Sequence, residues 1–181
     1  MSDNHRADAL NLQSLAEGRP GITPTWGEVL SETAVVCLED HQHSPGVALR
    51  IRGHVDQTCL LHWQNGDDQM RRCYNDAEYA TEHGAYGIAI LIAELITGLT
   101  VIERSAKGTH IDFWLGEDDE DAPPFVNEAR LEVSGIRRGD DQKIAARLKQ
   151  KLDRLEGADS RLTAFVIVVE FSRPVSEVQR R

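Results

Sequence analysis

The chain has 181 residues, of which 40% are hydrophobic and 28% charged, enough for one domain with a sizeable core or a core with a small appendage. A formal net charge of −10 argues against a protein that coats nucleic acid through general electrostatic attraction, although it is compatible with an acidic metal site. The longest apolar stretch, residues 87–96, is too short to cross a bilayer, and residues 1–20 lack a secretory signal pattern. Three cysteines without a CxxC pair are typical of reduced thiols. We therefore expect a cytoplasmic protein that has no association with membranes.

The first part of the chain predicts an arm followed by strands. Residues 1–28 contain several glycines and prolines but little hydrophobic periodicity, which predicts a mobile or loosely docked arm. Three short runs, 33–38, 47–52 and 58–63, have the composition of strands with turn signals between them. They predict an antiparallel β meander over residues 29–75. We expect this meander to extend a neighbouring sheet or to form a homodimer interface, because exposed strand edges invite pairing.

Residues 76–175 predict an α/β core, and residues 176–181 a tail. Hydrophobic spacing of 3.6 residues indicates two helices, and β-branched or near-continuous apolar runs indicate four strands. An acidic run at 117–121 is expected to be a solvated loop. The elements follow the order helix, three strands, helix, strand, over residues 76–96, 100–105, 110–115, 126–134, 139–157 and 162–171.

Two carboxylates lie on neighbouring strands of this predicted core. Alternation in the second strand places Asp112 on the face opposite Ile111 and Phe113, and alternation in the third places Glu132 opposite Leu131. A sheet with helices on both sides offers no solvated face, and a buried carboxylate without a partner is costly. We therefore expect a cation, a pairing arginine or a water-filled cleft beside them. Paired carboxylates suit Mg²⁺ or Mn²⁺, which prefer oxygen ligands.

The order of elements and these carboxylates resemble the PD-(D/E)xK nuclease-like superfamily. Residues 108–112, Gly-Thr-His-Ile-Asp, resemble the family's Gly-x-x-(Ile/Val)-Asp motif at the second strand. Residues 132–134, Glu-Val-Ser, stand where the family has Glu-x-Lys. The resemblance covers the second half of the chain, with no counterpart for residues 1–75. It implies an α/β fold with a restriction-endonuclease-like αβββαβ core, here preceded by the N-terminal meander.

The resemblance also implies a metal-dependent nuclease that acts on DNA or RNA phosphodiesters. Asp112, Glu132 and the backbone carbonyl of Val133 would hold Mg²⁺ or Mn²⁺, which activates water and stabilises charge on the phosphate. The family's lysine positions or deprotonates that water, and Ser134 stands in its place.

Other residues are candidates for completing such a site. Lys107, in the turn before the second strand, or Lys143, at the start of the second helix, could supply an ammonium group from elsewhere. Some members of the superfamily add a glutamate from the first helix, a role open to Glu82 or Glu78.

Structural explanations for the same residues stay open. Asp112 and Glu132 could pair with Arg130 and Arg104 in an ion network, and Glu82 could be an exposed first-turn glutamate favoured by the helix dipole.

Two further functional readings remain. The missing lysine and the acidic charge favour a catalytically inactive nuclease-like fold that serves as an interaction or accessory subunit. Another acid–metal enzyme on the same scaffold is the third possibility, since fold does not fix function. The partners to consider are nucleic acid, a second copy of the chain, or a larger protein complex.

Overall fold

The computed structural model describes residues 8–118, 128–155 and 162–181. Within these ranges the chain is an α/β fold of eight strands in one mixed sheet, four α-helices and one 3-10 helix. The strands are β1 (Ala9–Asn11), β2 (Val47–Gly53), β3 (Gln57–His62), β4 (Thr100–Arg104), β5 (Phe113–Gly116), β6 (Ala129–Ile136), β7 (Thr163–Glu170) and β8 (Val175–Arg180). The α-helices are α1 (Pro24–Glu39), α2 (Asp68–Cys73), α3 (Ala77–Thr97) and α4 (Asp141–Leu155), and the 3-10 helix is Leu12–Glu17. Neighbouring strands follow the order β1-β3-β2-β8-β7-β6-β5-β4.

Helices cover both faces of the sheet. On β7, Phe165 and Ile167 pack into the larger core with α1 and α3, whereas Val166 and Val168 pack on the opposite face with α4. Burial on both faces explains why β7 is a near-continuous apolar run rather than an alternating one. The sheet is therefore the middle of three layers.

The predicted order of helix, three strands, helix and strand is confirmed as α3, β4, β5, β6, α4 and β7. β4, β5 and β6 pair antiparallel, and β7 returns parallel to β6 after α4. α3 begins after Asp76, whose side chain accepts from two backbone N–H groups, and ends at Gly98 with a left-handed φ of 73°. Of the predicted acidic loop at 117–121, residues 119–121 lie outside the described ranges.

The prediction that residues 33–38 form the first strand of the meander was wrong, because these residues belong to α1. The helix begins with Thr23, which accepts from the N–H of Trp26 at 3.3 Å, and with Pro24 at its first turn. A Cβ on Gly84 of α3 would lie 2.9 Å from the Cα of Ala34. This close packing of two helices outweighs the strand propensity of the β-branched run.

The other two predicted strands, 47–52 and 58–63, are confirmed as β2 and β3. They form an antiparallel hairpin, and β2 also pairs parallel with β8. The hairpin therefore extends the central sheet, so the N-terminal half is a helix and a hairpin rather than a three-stranded meander.

The two ends of the chain were also predicted wrongly. Residues 8–28 are not a mobile arm over the described part, since Leu12, Leu15 and Ile22 are buried in the larger core and β1 pairs with β3. Residues 176–181 are not a tail, because β8 lies between β2 and β7 in the sheet. β1 gains its order from β3, which lies about fifty residues later in the chain, whereas β8 forms a hairpin with the preceding β7 and also pairs with the distant β2.

A buried carboxylate at the end of β7 holds the loop that precedes α4. Glu170 is fully buried and accepts from the backbone N–H groups of Gly139 at 3.1 Å, Ser172 at 2.9 Å and Arg173 at 3.0 Å. These bonds offset the cost of burying the charge. They tie the loop before α4 to the turn after β7, and so hold α4 over β6.

Candidate active site

Asp112 lies at the point where β5 begins. Its backbone N–H donates to the carbonyl of Leu131 at 2.9 Å, which keeps it beside β6. The predicted alternation is wrong at Ile111, which packs with α4 whereas Phe113 packs with α3. His110 has a φ of 60°, so the chain turns there, and a regular strand starts only at Phe113. Asp112 therefore sits in a break of the sheet rather than within a strand.

Glu132 is the buried neighbour of Asp112. It lies inside β6 with 6% of its surface exposed, on the face covered by α4. Burial and then the charge of Asp112 raise the pKa of Glu132, Lys151 opposes both effects, and the net pKa is about 7. Both residues line the same cavity, so the charge of Asp112 acts on Glu132 at short range and ionisation of Glu132 is unfavourable near neutral pH.

Lys151 of α4 reaches this pair from the second helix layer. Its Nζ donates to Oε1 of Glu132 at 2.5 Å, and its side chain is 16% exposed. Leu148, three residues earlier, packs against the sheet, which places Lys151 at the border of the buried helix face. Lys151 was not among the predicted site residues, although its spacing from Leu148 was a signal that it borders the core.

Tyr86 connects Asp112 to Glu82 on α3. Its hydroxyl lies 3.0 Å from Oδ1 of Asp112 and 3.0 Å from Oε1 of Glu82. Burial, and then the charges of Asp112 and Glu82, raise the pKa of Tyr86, so the phenol keeps its proton. One hydroxyl has one proton to donate, so it serves one carboxylate at a time. Glu82 thus joins the same acidic cluster, and Tyr86 was missed because nothing local distinguishes it from a core aromatic residue.

The other oxygen of Asp112 is fixed by the backbone. Oδ2 accepts from the N–H of Val133 at 2.8 Å, which aims the carboxylate along β6 toward Glu132. The N–H of Val133 thus contacts Asp112, and the role of the Val133 carbonyl as a metal ligand stays a prediction. Both residues line the same cavity.

Two cavities meet at these carboxylates. The first, about 650 Å³, is bounded by α3, β6 and α4, and the second, about 550 Å³, lies toward the loop between β4 and β5. Both are lined by Glu82, Asp112 and Arg154. We call the continuous depression formed by the two cavities the carboxylate groove. Its centre is acidic and accessible from two sides.

The lysines proposed as substitutes for the missing motif lysine do not contact Glu132. Lys107 is exposed and lines the second cavity, and Nζ of Lys143 donates to the carbonyl of Arg138 at 2.9 Å. Ser134, at the motif position, accepts from Nη1 of Arg147 at 2.8 Å. Among the described side chains, the ammonium that reaches the carboxylate pair is that of Lys151.

The ion network with Arg130 and Arg104 is not what the structure contains. Nη2 of Arg130 donates to the carbonyl of Leu162 at 2.7 Å, and the guanidinium of Arg104 lies 4.7 Å from the ring centre of Trp26. Neither arginine forms an ion pair with Asp112 or Glu132 within the described ranges. The bridging cation is supplied by α4 instead.

Mg²⁺ and Mn²⁺ require oxygen ligands, and the carboxylate groove offers a small set of them. Asp112 and Glu132 supply carboxylate oxygens along one cavity, and the buried Glu132 already has a counter-charge in the ammonium of Lys151. In the part of the chain that is described, no group of three His, Cys, Asp or Glu side chains has a geometry that could hold a metal ion. Tyr86 separates Glu82 from Asp112, so the donor set that fits consists of the two adjacent carboxylates.

Comparisons with protein-family models, with curated proteins and with solved structures each found no match. In the described ranges, no helix combines the length and apolar composition needed to span a membrane.

Proposed function

We propose that this chain is a metal-dependent nuclease-like protein that hydrolyses DNA or RNA phosphodiesters, on a restriction-endonuclease-like core. One observation carries the proposal: the ammonium of Lys151 contacts Glu132 directly beside Asp112. That contact gives the Glu-x-Ser motif the cation that it lacks at position 134. The order α3, β4, β5, β6, α4 and β7, with β7 parallel to β6, supports the same proposal.

The acidic residues of the centre would bind and orient. Asp112 and Glu132 would hold Mg²⁺ or Mn²⁺, with the carbonyl of Val133 as the further ligand implied by the family resemblance. The metal supplies Lewis acidity, which lowers the pKa of bound water and offsets charge on the phosphate. Tyr86 holds the Asp112 carboxylate in place, and Glu82 adds negative charge that favours cation binding.

The basic residues of α4 would act on the water and the phosphate. Lys151, next to Glu132, would orient the attacking water through its ammonium donors, as the family's lysine does. Arg147 and Arg154 line the groove and carry guanidinium groups, which suit phosphate oxygens. The chain's own residues thus cover cation binding, water orientation and phosphate binding.

The test is hydrolysis of end-labelled DNA and RNA oligonucleotides with and without Mn²⁺. We expect Mn²⁺-dependent cleavage by the wild type, and a loss of roughly a hundredfold or more for Asp112→Asn and for Lys151→Ala. Lys149→Ala, an exposed lysine of the same helix, is the matched control and should cleave at the wild-type rate. If Lys151→Ala cleaves as fast as the control, Lys151 has no catalytic part. Absence of cleavage with every substrate would remove the enzymatic proposal.

The same contact also favours a second candidate, a non-catalytic nuclease-like subunit. Lys151 already provides Glu132 with a counter-charge, so the centre does not need a metal to compensate that residue. In this case Mn²⁺ changes neither cleavage nor stability, and the chain acts through a protein complex.

A further inference from the structure

Basic side chains without acidic partners line the α4 side of the carboxylate groove. Lys143, Arg147 and Arg154 all border the first cavity. Their hydrogen bonds go to neutral acceptors or are absent within the described ranges, and none forms an ion pair there. The chain has a net charge of −10, so these cations give this wall a charge opposite in sign to that of the chain.

Similar residues lie beyond the carboxylates. Arg104, the last residue of β4, and Lys107, on the loop between β4 and β5, line the second cavity, and neither forms an ion pair with a described residue. The cations therefore occupy both sides of Asp112 and Glu132. The α3 wall is acidic through Glu78 and Glu82, so an anion is favoured along the opposite wall and the loop.

This distribution of charge fits a polyanion better than a single phosphate. Cations in a cleft focus the local potential even when the whole protein is acidic. A single phosphate bound at the carboxylate centre would need cations only at that point. A nucleic-acid backbone places further phosphates on each side of the centre, and these would need cations of their own. The two cationic flanks are separated by the acidic centre, as consecutive phosphates around a scissile one would require.

We propose that the carboxylate groove binds one continuous single strand of nucleic acid, with backbone phosphates held on both flanks of the centre. A single strand is favoured because Glu132, at the floor of the groove, is only 6% exposed. A flexible strand can enter such a depression, whereas a base-paired duplex has to be deformed to bring a phosphate there. The inference deepens the proposed function, and binding itself does not require cleavage.

The experiment measures binding of a fluorescein-labelled oligothymidylate by anisotropy, with the full-length chain in EDTA. We expect a closed circular single strand to compete as well as a linear one, and a duplex to compete roughly tenfold less well. Arg147→Ala and Lys107→Ala should each reduce the slope of log K against log salt by about 0.7, because each removes one phosphate contact on its own flank. Lys149→Ala should leave the slope unchanged.

Each opposite result overturns the inference. A circular strand that fails to compete shows that an end is required, and a duplex that competes equally removes the single-strand preference. Unchanged slopes for both variants, or no binding, show that the flanks do not hold phosphates. Mn²⁺-dependent hydrolysis of bis(p-nitrophenyl) phosphate, which needs no flanks, separates the two proposals: hydrolysis without strand binding leaves the proposed function standing, and strand binding without any hydrolysis does the reverse.

Discussion

Lys151 provides the counter-charge for Glu132, which lies beside Asp112 in the fold. Glu132 is almost fully buried, so removal of the lysine leaves a carboxylate next to Asp112 without a counter-ion. We expect Lys151→Ala to lower the free energy of unfolding by about 3 kcal/mol at neutral pH in the absence of metal. Urea denaturation measures this difference, with Lys149→Ala as a control that changes little. Equal stability of the two variants would mean that the Glu132–Lys151 pair contributes nothing to the folded state.

Glu132 gives the fold a specific pH dependence. The pKa of Glu132 is about 7 in the folded chain, against an ordinary value of 4.5. The folded state therefore binds this proton more tightly than the unfolded state does. The stability contributed by this proton is fully present below pH 4.5 and is lost as the pH rises through about 7. The wild type should therefore lose more stability than Glu132→Gln between about pH 5 and about pH 8. Urea titrations of both proteins across this range would show parallel profiles if Glu132 has an ordinary pKa.

Tyr86 is expected to act on cation binding through Asp112. Tyr86→Phe removes the hydroxyl that lies between Asp112 and Glu82 but keeps the ring that packs against Phe113. Loss of such a partner typically weakens metal affinity by about 10–100-fold. Isothermal titration with Mn²⁺ measures the change, and Tyr79→Phe, an exposed tyrosine of the same helix, is the control. Identical affinities for the two variants would show that the hydroxyl does not orient Asp112 for a cation.

The sequence located the acidic residues of the candidate site but not their partners. Glu132 follows from strand alternation, Asp112 from motif spacing and Glu82 from its helix position, all of which are local properties. Lys151 and Tyr86 contact them only because α4 and α3 pack on opposite faces of the sheet. Which of several basic residues on a helix turns inward depends on this packing, so Lys107 and Lys143 were equally reasonable from spacing alone.

At the scale of elements, the position of α3 over β6 holds Glu82 and Tyr86 beside the carboxylates. A Cβ on Gly135 of β6 would lie 2.4 Å from the carbonyl oxygen of Thr81, one residue before Glu82. Gly135→Ala should therefore push α3 away from the sheet and destabilise the fold by about 2 kcal/mol. We expect a lower Tm in thermal unfolding and a weaker affinity for Mn²⁺ in titration of this variant. A variant as stable as wild type would mean that the contact between α3 and β6 relaxes without cost.

Elements with strong local signals were predicted correctly, and those that depend on distant partners were not. α3 has an N-cap, a buried stripe and a left-handed glycine cap, so both of its ends were found. α1 was missed because its run Thr-Ala-Val-Val-Cys-Leu has strand propensity that contact with α3 overrides. β8 was missed because Pro174 ends the predicted last strand, whereas the chain turns there and pairs back with β7 and with the distant β2.

At the scale of the whole molecule, charge is distributed unevenly. The chain is acidic overall, yet the unpaired cations of α4 and of the loop between β4 and β5 converge on one groove. The net charge therefore argues against general coating of nucleic acid. It is still compatible with binding of nucleic acid at one groove whose walls carry cations. The three-layer arrangement creates that groove. α3 and α4 pack on opposite faces of the sheet, and the groove lies between them beside the residues that precede β5.

The account depends most on Asp112 and Glu132 sharing one divalent cation in the folded chain, and Mn²⁺-dependent thermal unfolding of wild type and Asp112→Asn tests this directly. At ~100 times the dissociation constant, binding to the folded state alone adds about 2.7 kcal/mol, which raises the Tm of a domain of this size by several degrees. We predict this shift for the wild type, a much smaller shift for Asp112→Asn, and no loss of metal-free stability in the variant because one repelling charge is removed. No Mn²⁺ shift in the wild type, together with a large metal-free loss in Asp112→Asn, would contradict the account and favour the non-catalytic subunit.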